Sequence, residues 1–173
     1  MKTEIVQLTK PTAQFVEVLN RWENDRELIP LIRPNKSQEE LDRRETITLE
    51  GVRDRLEYQQ IFQIFVNHEM IGEMNYMVDP PHLFKQESGT AWIGITIGEP
   101  EGRGKGIGFE AIQYLEEHIY QQGFNRIELG VFEFNTNAYK LYQKLGYEEI
   151  GRLEDFTYWN GRMWSDIRME KYL

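Results

Sequence analysis

The chain has 173 residues, 20 lysines and arginines against 29 aspartates and glutamates, a formal charge of −9, and no cysteine. That length fits one domain spanning 1–173, long enough to bury a core without staples. The missing cysteines exclude a disulfide scaffold, a thiolate metal site and a cysteinyl acyl-enzyme, and fit a cytoplasmic setting. The acidic balance argues against nucleic acid or an anionic membrane as partner.

Residues 4–9 alternate loosely and read as a first strand. Thr12 is placed to cap a helix whose Phe15, Val18, Leu19 and Trp22 form one apolar stripe. Ser37 and Glu40 have capping-box spacing, and Leu41, Thr48, Leu49, Val52 and Leu56 continue a helical face, with Gly51 as a break. Strands follow at 60–66 and 70–77 around the turn Asn67-His68-Glu69, and at 90–97 after a long loop, 78–90. Glycines at 102, 104, 106 and 108 then open a helix that ends near Gly123. A strand at 126–132 leads to a shorter helix, capped by Asn135 or Thr136 and stopped at Gly146. The last two strands flank Asn160-Gly161, a strong hairpin signal. This order predicts an α/β (α+β) fold, with a mixed, mostly antiparallel central sheet and helices on both faces.

The glycine-rich stretch carries the chemistry. Amides at a helix N-terminus lack partners and carry partial positive charge, which suits a phosphate. Arg103 and Lys105 add charge there. A phosphate-binding P-loop is excluded, because Lys105 is followed by Gly106 and not by Ser or Thr. A dinucleotide fingerprint fits Gly106-x-Gly108-x-x-Ala111 by letter, with Glu128 as the acid, but the meander before it suits that fold badly.

The third reading is Arg103-Gly104-Lys105-Gly106-Ile107-Gly108 as an R/Q-x-x-G-x-G/A loop. Here the sequence resembles the GNAT superfamily of acetyl-CoA-dependent N-acetyltransferases. Asn135-x-x-Ala138-x-x-Leu141-Tyr142-x-Lys144-x-Gly146-Tyr147 is similar to a second element of that superfamily, with the last tyrosine a departure. The outer features, from Trp22-x-Asn24-Asp25 to Asp166, resemble the branch of ribosomal-protein-alanine and spermidine acetyltransferases.

The resemblance implies a sheet with splayed central strands. It implies a pyrophosphate held by Arg103, Gly104, Lys105, Gly106, Ile107 and Gly108, and a pantetheine arm along Thr96, Ile97 and Gly98, helped by Asn135. An amide near Ile97 or Gly98 would polarise the thioester oxygen. Tyr142 is the candidate general acid, and Glu73 the candidate base for a primary amine attacking directly in a ternary complex. His68, His82 and His118 show no metal-ligand spacing; His82 is the one placed to touch substrate, and the other two are expected in solvent. With the loop cations committed to the cofactor, the remaining cleft is expected to be acidic through Glu23, Asp25 and Glu73. That would select a small cationic amine or a protein N-terminus, with loop 78–90 choosing between them. A non-catalytic acyl-CoA-binding domain is the alternative, and a homodimer stays open.

Overall fold

The computed structural model describes residues 2–173. Seven strands form one sheet: β1 (Thr3–Leu8), β2 (Gln60–Val66), β3 (Glu69–Val78), β4 (Thr90–Ile97), β5 (Arg126–Phe132), β6 (Glu148–Trp159) and β7 (Arg162–Tyr172). Their spatial order is β1-β2-β3-β4-β5-β7-β6. Only β4 and β5 run parallel; the other neighbours are antiparallel. Both tight hairpins follow from residues that tolerate left-handed backbone. Asn67 and His68 have φ of 49° and 70°, and Asn160 and Gly161 have 52° and 83°.

Helices cover both faces, as the patterning predicts. On one face, α5 (Ile107–Gln121) and α6 (Thr136–Lys144) bury Ile112, Leu115 and Tyr142 against Ile127, Leu129 and Met169 of the sheet. On the other, α1 (Ala13–Glu23) buries Phe15, Leu19 and Trp22 with Leu8, Ile61 and Met70. Thr12 caps α1 by accepting from the Phe15 amide at 3.1 Å.

Between β1 and β2 the structure corrects the single helical face expected behind Ser37. It holds α2 (Ile29–Ile32), α3 (Gln38–Asp42) and α4 (Leu49–Leu56), with the break at 43–48 and not at Gly51. Thr48 is not on a helical face. It caps α4, accepting from the Gly51 amide at 3.0 Å, so Gly51 lies inside the first turn. The capping serine was legible; a second cap, Thr48, was read as periodicity.

The pairing that shapes the site is β4 with β5. It is confined to Thr90–Arg126, Ala91–Ile127 and Trp92–Glu128, after which the strands part. The mostly antiparallel sheet with one short parallel contact also removes the dinucleotide reading. Glu128, its proposed ribose acid, is 0% exposed and accepts from the amides of Phe84 (2.5 Å) and Lys85 (3.3 Å) and from Arg126 (2.9 Å). Those bonds pin loop 78–90 against the sheet.

Candidate active site

The parting of β4 and β5 leaves backbone groups unpaired. The Gly98 amide donates to Ile71 O at 2.9 Å and the Asp79 amide to Thr90 O at 2.8 Å. In an antiparallel ladder such pairs alternate. Thr96 and Gly98 therefore turn their backbone groups to β3, while Ile95 and Ile97 turn theirs to the gap. Of the three expected pantetheine contacts, only Ile97 offers an N–H there. The Gly98 amide is committed to Ile71, so it is not free to polarise a carbonyl. Ile95 was missed, although strand alternation is the signal that finds it. The gap opens into a cavity of about 1540 Å³ that takes in β4, the glycine loop and α6.

The glycine loop is built for backbone approach. Gly104 and Gly106 have φ of 70° and 77°, and a β-carbon on either would meet nothing within 4 Å. Only conformation demands glycine there, and the space above is free. Gly106 is the N-cap of α5, so the first amides of that helix face the loop without side-chain partners. Gly102, Gly104, Gly106, Ile107 and Gly108 line the cavity. Arg103 lines it too, but its Nε and Nη2 donate to Ile97 O (3.2 Å) and Gly98 O (3.1 Å). It fastens the loop to the end of β4. Lys105 is exposed and outside the lining.

Across the gap stands α6. Asn135 caps it, its side chain accepting from the Ala138 amide at 3.4 Å, and it also lines the cavity. Tyr142 is 7% exposed, and burial pushes its phenol up to about 12. Its hydroxyl makes no hydrogen bond to protein among the described residues, and Tyr142 borders the cavity.

The sequence model of the Acetyltransferase (GNAT) family matches residues 19–147. The chain belongs to this family. It is an N-acetyltransferase by that membership, with N-acetyltransferases among its relatives. An uncharacterized N-acetyltransferase p20 of Bacillus licheniformis is 28% identical over 170 residues, covering 93% of this chain and 89% of that one. The spermidine N-acetyltransferase of Vibrio cholerae, solved with CoA and spermine, superposes with a TM-score of 0.74 at 17% identity, covering 98% and 95% of the two chains. Ribosomal-protein-alanine N-acetyltransferase from Brucella melitensis gives 0.74 at 20%, covering 98% and 99%. At such identities these two structures testify to the fold.

The cavity of this GNAT chain departs from the expected acidic cleft. Glu73 is buried outside the cavity lining, its Oε1 accepting from Arg55 (2.5 Å) and Asn75 (3.0 Å). Glu23 is half-buried nearby, its carboxyl raised first by burial and then by Glu73 and Glu45. Asp25 is exposed and caps the turn to α2. None of the three reaches the lining, where Asp166 is the single carboxylate among the described residues. Lys140 and Lys144, one turn apart on α6, and Arg168 also border it; none was anticipated. Asp166, Arg168 and Glu170 alternate with Ile167 and Met169 along β7, and that period of two was the available signal. His82 does line the cavity, its ring edge-on to Trp92 at 4.5 Å. His118 is not in solvent but half-buried against Phe62, at 4.9 Å.

Proposed function

We propose that this protein transfers the acetyl group of acetyl-CoA to a primary amine by direct attack, both substrates sharing the one cavity. One observation supports this most. An unpaired stretch of β4 runs from left-handed glycines at a helix N-terminus past a buried, unbonded tyrosine. The volume of about 1540 Å³ exceeds the ~300–1,000 Å³ of ordinary single-ligand pockets, which suits two substrates at once.

When bound, acetyl-CoA supplies an activated thioester. The first amides of α5, with Gly104 and Gly106, receive its pyrophosphate, and the N–H and C=O of Ile95 and the N–H of Ile97 pair with the pantetheine amides. Lys140 and Lys144 add charge along this arm, and Asn135 offers its free amide group. Lys105, outside the lining, acts through charge alone.

Tyr142 is the proton donor. As the amine nitrogen forms its bond to the carbonyl carbon, the carbon–sulfur bond breaks and Tyr142 gives its proton to sulfur. The ammonium has first given one proton to water, which frees the lone pair that attacks, and after the attack the phenol recovers one proton from the nitrogen to leave the neutral amide. Burial keeps Tyr142 protonated across the neutral range, and the same dry wall raises the departing thiol toward it. Glu73, held by Arg55, acts as a positioning residue: through its bond to Asn75 it orients a polar group on the cavity wall.

Saturating acetyl-CoA should raise Tm by roughly 5–10 °C at a hundredfold excess over Kd, and added amine should release thiol. No shift with acetyl-CoA, alongside a shift with NAD, would overturn this reading.

A further inference from the structure

The acceptor end of the cavity has a chemistry of its own. Asp166 on β7 is paired in register with Phe132 on β5 and with Leu153 on β6, and cross-strand partners share a face. All three line the cavity, with Phe156 beside Phe132 at 6.1 Å between rings. Leu28, Leu31 and Ile32 line it as well. This apolar wall is anchored to β6. The Asn35 amide donates to Thr157 Oγ1 at 2.9 Å, the Tyr158 amide to Asn35 O at 2.6 Å, and Lys36 Nζ to Phe156 O at 2.7 Å.

One carboxylate serves this apolar chamber. Asp166 is 4% exposed and stacked over Gly130, where a β-carbon would overlap its carboxylate. Its Oδ2 accepts from Arg168 Nε at 2.8 Å, and its Oδ1 has no partner among the described residues. Arg168 in turn donates to His82 O at 2.9 Å and lies 3.6 Å from Glu128. The other charged lining groups, Arg103, Lys140, Lys144 and Arg168, are all cations. A second or third ammonium on the acceptor would find no carboxylate here, and burying it unpaired is strongly unfavourable.

We propose that the acceptor is a monoamine on a ring-sized apolar body, its ammonium received by Asp166 Oδ1 and its body held between Leu28, Leu31 and Ile32 and the row Phe132, Leu153 and Phe156. This rests on the acetyltransferase reading. Burial raises the Asp166 carboxyl above the usual range despite Arg168, a cost that a bound ammonium relieves. The assignment differs from the spermine held by the Vibrio cholerae protein, to which the likeness at 17% identity is one of fold.

The test measures thiol release from acetyl-CoA with 2-phenylethylamine, ethylamine and spermidine. The aryl amine should exceed both others in kcat/KM by about tenfold or more. Leu31→Lys, at a rim position 42% exposed and so tolerant of charge, should shrink that margin about tenfold through KM. Asp166→Asn should raise KM for the aryl amine more than it lowers kcat; if that variant does not fold, Leu31→Lys carries the test. A preference for spermidine, parity of the aryl amine with ethylamine, or a margin unmoved by Leu31→Lys overturns the proposal while leaving acetyl transfer standing. If no amine releases thiol, calorimetric binding to the CoA-bound protein decides: 2-phenylethylamine must bind more tightly than spermidine, and its failure to bind overturns the proposal. Failure to bind acetyl-CoA itself would instead strike the acetyltransferase reading.

Discussion

Tyr142→Phe separates chemistry from packing. The substitution keeps the ring and its edge contact with Tyr147, at 5.9 Å between centroids, and removes a hydroxyl that bonds no protein group. At pH 7 stability should therefore move by no more than about 0.5 kcal/mol, while kcat falls by roughly 10²–10⁴-fold, the worth of a general acid. A second consequence comes from burial. The phenol titrates at about 12 in the folded protein and near ~10 in the unfolded chain. A group raised on folding contributes stability that is full below the unfolded value and is lost as pH climbs through the folded one. The total at stake is about 3 kcal/mol, and about 1.4 kcal/mol of it is gone by pH ~11. Urea unfolding of both proteins at neutral and alkaline pH reads this out. The wild type should lose that much more than Tyr142→Phe on going to pH ~11. An undiminished kcat would remove Tyr142 from the reaction, and equal alkaline losses would refute the buried phenol.

Gly106→Ala forces a side chain into φ 77° with free space around it, so it should cost about 1–2 kcal/mol with no clash, and Gly106→Asp should further abolish the acetyl-CoA shift in Tm. Glu128→Gln breaks a fully buried ion pair under loop 78–90; urea titration should show a loss of about 3–5 kcal/mol, and protease should begin to cut the loop. Thr157→Val leaves the buried Asn35 amide without its acceptor and should cost about 1–3 kcal/mol by thermal melting, with KM for the amine rising as the apolar wall loosens.

The legible parts of this protein were those governed by the backbone within a few residues. Thr12, Ser37 and Asn135 announced helix starts because a capping oxygen serves an amide two or three residues on. Asn160-Gly161 announced its hairpin, and the run of glycines before Ile107 the loop that opens α5, because few other residues adopt positive φ cheaply. The glycine loop and Tyr142 lie on such local elements; the family resemblance of their two motifs assigned them to one site, and both line the same cavity. The acceptor end could not be read this way. Glu73 looked free on its strand until Arg55, 18 residues before it, was folded onto its carboxylate. Arg103 looked like a phosphate ligand until β4 presented two carbonyls to it. Net charge suggested an acidic cleft, but charge summed over a chain does not say which carboxylates face inward. Tertiary structure kept every other described carboxylate off the cavity lining and left one oxygen of Asp166 among apolar side chains drawn from residues 28 to 156. Those neighbours meet only through strand register and the anchoring of 35–36 on β6, contacts across long stretches of chain that no local pattern encodes.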